Sequence, residues 1–462
     1  MNRILMLFFL LSAFLTEAQE IKVSGTAIGQ PGELIRVIVY ADQFSRLDST
    51  LAETTTDAWG NFDLSFTCEQ TDYAFLVLGM KRGEFYLEPG NAYQMYIRKD
   101  SVKGSVFDQL PLQFDLKEQG DTLNSLIENF NFDYNTFILQ YQKQLLRAKP
   151  VRLINDFVKK ENEKFKAGLS ENTYFRNYVT YSLASLEWVS EVKNDTVILK
   201  DYFSGKEVLF DNIAYTDLFR EFFKEYFKNI KEFDYPDLVL AFNSGTLFYV
   251  DSLLQQDKFL AIDGRVRELA MMLLMARNFY DKDIIKEKIL DILTEIEKSS
   301  KYVRNRIVAG NFKRKLLKLN YGSKAPGLQL INAEGKMTGL DEFKGKFVLL
   351  DFVTSGCKIC LHDFSELAEM QNYLDKPVEI VVVVTDGKIE NVLSSIPGAH
   401  FHVFSPERKI QALEEYEIRT YPTYIILNPD GTVAMAPAPL PNENLDVFLN
   451  GFMKRFRMKN NN

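Results

Sequence analysis

The sequence predicts a multidomain chain, with an N-terminal all-β sandwich, a central all-α domain and a C-terminal α/β domain. Three observations carry this reading. Up to residue 117, short alternating or β-branched runs sit between Gly, Pro and Asp. From 118 to 320, apolar residues recur three and four apart, and beyond that strand-like runs alternate with helical ones. At 462 residues the chain has length for about two to four cores.

Residues 1–18 stand apart. "MNRILMLFFLLSAFLTEA" has a basic Arg3, an apolar run from Ile4 to Leu11 and small residues Thr16 and Ala18, the order a signal peptidase reads. Cleavage is expected after Ala18. The apolar run is about half the ~20 residues a membrane-spanning helix needs, so an uncleaved anchor is the weaker alternative. Cysteine does not follow the leader, so a lipid anchor is not expected. The expected localisation is periplasmic, with membrane association as a variant, and there a pair of nearby thiols can be oxidised.

Residues 19–117 supply "IKVSGTAI", "GELIRVIVYAD", "LAETTTD", "NFDLSF", "YAFLVLGM" and "GEFYLEP" as strands. "TTTDAWGNFDLSF", with Asp57 and Gly60, and "LEPGNAYQMYI", with Pro89-Gly90, are expected to form hairpins. Cys68 ends a strand with no nearby cysteine and reads as a small hydrophobe.

Residues 118–320 form the expected helical domain. Six segments, from "LNSLIENFNFDYNTFILQYQKQLL" to "KDIIKEKILDILTEIEKSS", keep the helical period with few glycines or prolines inside. The chain holds 37 Phe and 22 Tyr, and where these lie at helical spacing they are expected in the core rather than in a ligand cage. No fixed-period repeat is found, which argues against a solenoid. The net charge is −8 and the basic residues are scattered, so nucleic acid is not an expected partner.

Residues 321–462 contain "FVLLDFVTSGCKICLHDF". Cys357 and Cys360 are two of the chain's three cysteines and could be a redox pair, a metal clip or an inert staple. A disulfide-exchange site needs one thiol available as thiolate and a second within reach to expel the mixed-disulfide partner. A C-x-x-C between a strand and a helix meets both needs. Cys357 at the helix N-terminus lies near unpaired backbone N–H groups and the positive end of the dipole, while Cys360 is shielded one turn in. The expectation is that Cys357 attacks and Cys360 resolves, with Lys358 able to favour the thiolate.

With the downstream "EIRTYPTYIILNPDGTV" and the preceding "KAPGLQLINAEGKMTGLDEFKGK", this region resembles the thioredoxin superfamily. It is similar to the TlpA/ResA-like thiol-disulfide oxidoreductases within the AhpC/TSA grouping. The N-terminal strands likewise resemble the small β-rich domain that precedes thioredoxin modules in secreted Gram-negative proteins. The resemblance implies a thioredoxin-like fold over roughly the last 140 residues and a redox disulfide Cys357–Cys360. It also implies a cis peptide before Pro422 in "TYPT", with Tyr421 contacting substrate. Asp351, six residues before Cys357, stands where thioredoxins carry a buried carboxylate, and Asp363, three after Cys360, where relatives often carry Glu. Both are implied as catalytic, through proton transfer or electrostatics at the resolving thiol. Three departures are plain: Ser355-Gly356 replaces the usual Trp before the first cysteine, Ser365 replaces the proline that kinks the helix, and the pair between the cysteines is Lys358-Ile359, unlike the common thioredoxin and isomerase pairs.

Three rival readings remain. Thr354-Ser355-Gly356-Cys357 reproduces the T-x-x-C of peroxiredoxins, although Leu350 stands where their proline is expected. Copper or zinc would recruit both cysteines with His400 or His402, the nearby His362 being a further histidine. A vestigial site in an envelope interaction protein is the non-enzymatic rival. The preferred reading is a secreted thiol-disulfide oxidoreductase, a reductant rather than an oxidant by resemblance. It expects no cofactor, no metal, protein thiols or disulfides of the cell envelope as partners, and a membrane electron donor.

Overall fold

The computed structural model describes residues 19–99, 111–117, 122–147, 150–375, 377–396 and 401–460. The expected leader 1–18 and His400 lie outside the described residues. One compact unit holds the described residues up to Lys313, and a second those from Arg314 on. Among the described residues no helix is long and apolar enough to cross a membrane.

The first unit opens with eight strands: β1 (Gln19–Ala27), β2 (Leu34–Tyr40), β3 (Asp48–Thr55), β4 (Asn61–Cys68), β5 (Asp72–Leu78), β6 (Lys81–Leu87), β7 (Ala92–Ile97) and β8 (Phe114–Lys117). They form two four-stranded sheets, ordered β4-β1-β7-β8 and β3-β2-β5-β6, as the sandwich reading expects. β4 alternates exposed and buried residues, with Phe62 and Leu64 inward. β5 is buried almost throughout, because Ala74, Leu76 and Leu78 face the sandwich core while Tyr73, Phe75 and Val77 pack in a second apolar cluster with helical residues.

Both expected hairpins are corrected. β3 pairs with β2 and β4 with β1, so the turn at 56–60 carries the chain from one sheet to the other. The turn chemistry is present: Asp57 Oδ1 accepts from the N–H groups of Trp59 and Asn61 at 2.8 Å each, and Gly60 has φ +85°. The Pro89-Gly90 turn likewise links β6 of one sheet to β7 of the other. A turn motif specifies a local reversal of the chain but not which strand the returning segment will join.

Helices follow in the same unit: α1 (Leu123–Arg147), α2 (Val151–Lys164), α3 (Lys166–Glu171), α4 (Thr173–Val189), α5 (Asp195–Ile198), α6 (Ile213–Asn229), α7 (Tyr235–Asn243), α8 (Leu247–Leu254), α9 (Gly264–Asn278), α10 (Lys286–Ser299) and most of α11 (Val303–Leu317), whose last turn falls after Lys313. Side-chain caps mark several starts: the Oδ1 atoms of Asn172 and Asn212 accept from the N–H of Phe175 and Tyr215. Phe203, Phe219, Phe222 and Phe223 are all fully buried and meet edge to face or tilted, which places these aromatics in the core. Outer-face residues of β5 and β6 share a cluster with Leu123, Ile127 and Phe130 of α1 and Phe175, Val179 and Leu183 of α4. Sheet and helices therefore bury one another.

The second unit contains β9 (Gln329–Ile331), β10 (Met337–Gly339), β11 (Val348–Thr354), α12 (Lys358–Met370), β12 (Glu379–Asp386), α13 (Ile389–Leu393), β13 (Phe401–Pro406), α14 (Lys409–Glu415), β14 (Thr423–Leu427), β15 (Val433–Ala438) and α15 (Leu445–Asn460). The sheet order is β10-β9-β13-β12-β11-β14-β15, with β11, β12 and β13 parallel and the rest antiparallel to their neighbours. On one face Leu349, Val353, Val382 and Ile426 pack with residues of α12 and α15. On the other, the Phe352 ring meets Tyr416 just beyond α14, centroids 5.3 Å apart. Two-sided cover explains why "FVLLDFV" and "EIVVVV" read as continuous apolar runs.

Gly25 tests the sandwich. A Cβ at this position would lie 2.0 Å from the Met95 carbonyl oxygen and 2.8 Å from Phe62 Cζ. Gly25→Ala is expected to cost about 1–3 kcal/mol, read as a lower urea midpoint.

Candidate active site

β11 carries the chain through the centre of the sheet and ends at Thr354. Ser355 and Gly356 turn it outward, and α12 begins at Lys358 with Cys357 as its N-cap. Cys357 Sγ accepts from the Cys360 N–H at 3.1 Å, so the sulfur itself occupies the capping position. Cys357 is half-buried and Cys360 fully buried, and they are joined in a disulfide with Cα atoms 5.3 Å apart. On α12, Cys360, Asp363, Phe364 and Leu367 are buried, a spacing that turns one helix face onto the sheet. The helix runs without interruption through Ser365.

Asp351 is 0% exposed, and neither carboxyl oxygen has a hydrogen-bond partner among the described residues. It sits between Leu349 and Val353 on the face of β11 that α12 covers. Burial first, and the neighbouring Asp363 second, hold its carboxyl well above the usual carboxylate range. Asp363 is also buried, and its Oδ2 accepts a 3.0 Å hydrogen bond from the Tyr424 hydroxyl. Burial pushes Asp363 up, while the donated hydrogen bond from Tyr424 acts against that shift.

The Tyr421–Pro422 peptide is cis. The Tyr421 hydroxyl is hydrogen-bonded to Thr385 Oγ1, and Thr385 in turn donates to the Val353 carbonyl at 3.1 Å. Tyr421 is thus tied down to β12 and β11 through its side chain. Thr385 and Tyr424 were absent from the sequence reading. Tyr424 was legible as the second residue after Pro422 in a strand, but its meaning needed the register, in which it pairs with Asp351 across β11 and β14. Gly387 was also missed: with φ +84°, its added Cβ would lie 1.8 Å from Ser355 Oγ. It lets the end of β12 lie against the turn before the cysteines, where the Ser355 N–H donates to the Asp386 carbonyl at 2.9 Å.

The two described histidines are not gathered with the sulfurs as a metal site. His402 sits on β13 opposite Val381, its Nε2 2.7 Å from Glu379 Oε2 at the far end of β12. His362 is exposed, its Nδ1 4.0 Å from both Asp363 Oδ1 and Glu366 Oε1. Among the described residues no three His, Cys, Asp or Glu side chains group as a metal site. Leu350, at the position of the peroxiredoxin proline, is fully buried inside β11.

Two predictions follow from this geometry. Gly387→Ala is expected to lose roughly 1–2 kcal/mol from its left-handed backbone alone and to slow opening of the disulfide by displacing Ser355, read by thermal melting and thiol release. The buried Asp351 sets a pH dependence. Above the ordinary carboxylate value of 3.8 the unfolded chain sheds a proton that folded Asp351 keeps, so its contribution is full below 3.8 and declines until the folded carboxyl ionises. Urea stability of the oxidised protein should fall across that window, and fall less in Asp351→Asn.

Residues 345–433 match the model of the thioredoxin-like family. The chain is 34% identical over 119 residues to the thiol-disulfide oxidoreductase ResA of Bacillus subtilis, covering 25% of this chain and 65% of that protein. It is 33% identical over 114 residues to NHL repeat-containing protein 2 of Gallus gallus, spanning 16% of its length. Among solved structures, the thioredoxin domain of a thiol-disulfide oxidoreductase from Bacteroides vulgatus is 28% identical, with a TM-score of 0.25, covering 30% of this chain and 97% of that one. The chain thus spans slightly less than two thirds of the Bacillus relative and a small part of the avian one. Residues 345–433 of its C-terminal part are therefore thioredoxin-like.

Proposed function

We propose that this chain exchanges disulfides with protein thiols and disulfides of the cell envelope, with Cys357 attacking and Cys360 resolving. The observation that carries this is the asymmetry of the pair: a half-buried cysteine at a helix N-terminus, bonded to a fully buried one, with a buried carboxyl beneath the same helix that has no hydrogen-bond partner among the described residues.

In the reductive direction the Cys357 thiolate attacks a substrate disulfide, forming a mixed disulfide and releasing one substrate thiolate. Cys360 then gives its proton to Asp351 and attacks Cys357 Sγ. This closes the Cys357–Cys360 bond and releases the second substrate sulfur. In recharging, a donor thiolate attacks Cys357 Sγ, and the electron pair leaves on Cys360 Sγ and takes the proton that Asp351 returns. The donor's second thiolate then attacks its own sulfur in the mixed disulfide, closing the donor's disulfide and releasing Cys357 as thiolate. Asp363 tunes that carboxyl. The backbone beside Pro422 pairs with an extended substrate segment, and the Tyr421 ring lines its path. The order of basic, apolar and small residues in the first eighteen positions supports export to the periplasm, and the resemblance supports reduction fed by a membrane electron donor.

The test is the reduction potential of the pair, measured by equilibrating the protein in dithiothreitol buffers and counting thiols. A value near or below about −230 mV is expected; one near about −120 mV would make it an oxidant, and no reversible transition would remove the exchange reading. In parallel, Cys360→Ser should accumulate a mixed disulfide with a model substrate and Cys357→Ser should not. Asp351→Asn should slow resolution at neutral pH by about 10-fold or more with the fold intact, and an unchanged pH–rate profile would remove Asp351 from the mechanism.

A further inference from the structure

Two acids and one phenol share the enclosure behind the disulfide, and their surroundings differ. Asp363 receives a hydrogen bond from Tyr424, whereas Asp351 has no partner among the described residues and no exposure at all. Tyr424 and Asp351 are directly opposite in the antiparallel β11–β14 pair, so their side chains leave the sheet on the same face, the one α12 covers with Asp363. Two neighbouring carboxyls in an apolar enclosure do not readily ionise together, and a donated hydrogen bond favours the charged form of the one that receives it. The phenol is itself held protonated by burial and by the two acids, so it stays a donor.

We infer that Tyr424 is a positioning residue that gives the two acids unlike roles, its hydroxyl holding Asp363 as the anion and so leaving the proton on Asp351, where Cys360 needs it. This rests on the exchange reading above. When an incoming thiolate breaks the disulfide at Cys357, the electron pair left on Cys360 Sγ takes the Asp351 proton, and the resulting carboxylate takes it back when Cys360 attacks. Without the phenol the shared proton moves toward Asp363, and the buried sulfur loses its donor. Among the described residues, the other titratable groups facing the pair are His362 and Glu366 of α12. Val382 and Val384 of β12, Ala438 of β15, and Leu445 and Leu449 of α15 supply only apolar surface to the same cluster.

The experiment has two readouts on the oxidised full chain. The first is the infrared band of a protonated carboxylic acid at neutral pH. It should lose intensity in Asp351→Asn and keep it in Asp363→Asn, over a constant background from Asp72, whose carboxyl burial pushes up to about 7; the opposite pattern overturns the assignment without need of a Tyr424 variant. In the Asp351→Asn background, Tyr424→Phe should raise the midpoint of Asp363 ionisation by about one pH unit or more, the size of a hydrogen bond to a charged group. An unmoved midpoint overturns the role of Tyr424.

The second readout is the pH profile for opening of the disulfide by dithiothreitol, corrected for the reagent's own thiolate fraction. Its alkaline fall should move to lower pH in Tyr424→Phe and in Asp363→Asn, with no further shift when the two are combined. A merely structural tyrosine would lower thermal stability in either background and leave that limb in place, which overturns the proposal. A wild-type disulfide that dithiothreitol does not open overturns the exchange reading together with this one. An opened disulfide with an unmoved Asp363 midpoint overturns Tyr424 alone.

Discussion

Strand β11 is enclosed by β12 and β14 along its edges and by apolar clusters on both faces, and the chemistry of the second unit depends on that enclosure. Every residue from Val348 to Val353 is buried. An acid within such a strand cannot keep a charge cheaply, since an unpaired carboxylate out of water costs several kcal/mol and the group takes a proton instead. Placement therefore holds the Asp351 carboxyl above the ordinary carboxylate range. The same enclosure sets the contrast between the thiols: the chain leaves the sheet at Thr354, turns through two residues and starts a helix. Its first cysteine is half-buried, and its second, one turn later, is drawn fully under the helix.

How much of this was legible follows from whether the signal was local. The cysteine pair was readable because strand, turn and helix are consecutive in the chain, and spacing alone places one thiol at the cap and the other inside. Asp351 was readable from its spacing, six residues before Cys357, where the resemblance places a buried carboxylate. Tyr424 was not, because its importance depends on pairing β14 with β11 at one particular register, and a shift of one residue would have turned its ring to the opposite face. The two supposed hairpins failed for a related reason. Asp57 and Gly60 do close a turn, yet whether the returning strand joins its own sheet or the facing one is decided by which residues are buried on each side.

The first unit shows the same limit at larger scale. The hydrophobic period changes from two to three and four after residue 117, which marks a change of secondary structure. Packing continues across that change. β5 is apolar on both faces, one towards the sandwich core and the other towards a cluster shared with α1, α2 and α4, and β2 is buried on both faces with Arg36 beside Ile38 on its outer one. A strand that had to face water on one side would have alternated as β4 does. Asn311 of α11 also donates to Asp42 Oδ2 at 2.7 Å, so the last helix of the unit is hydrogen-bonded to the loop between β2 and β3. A sequence reading that divides strands from helices describes the order of elements without defining what packs together.

The departures from the family pattern fall where the frame does not need them. The turn before Cys357 is held by backbone groups: Ser355 N–H to the Asp386 carbonyl, and Cys357 N–H to the Thr354 carbonyl at 3.1 Å. Neither bond asks for an aromatic side chain at 355 or 356. What the turn does require is close approach by the end of β12, and Gly387 supplies it with a left-handed backbone and no Cβ. Replacing the usual Trp by Ser-Gly therefore changes the surface that meets a partner while leaving the sulfur at its cap. Between the cysteines, Lys358 is exposed and Ile359 is 63% exposed, so a cation and an apolar side chain stand beside the reactive bond. Those exposed side chains and the buried set of Asp351, Asp363 and Tyr424 have no residue in common, so the surface beside the disulfide can change without repacking the enclosure under α12.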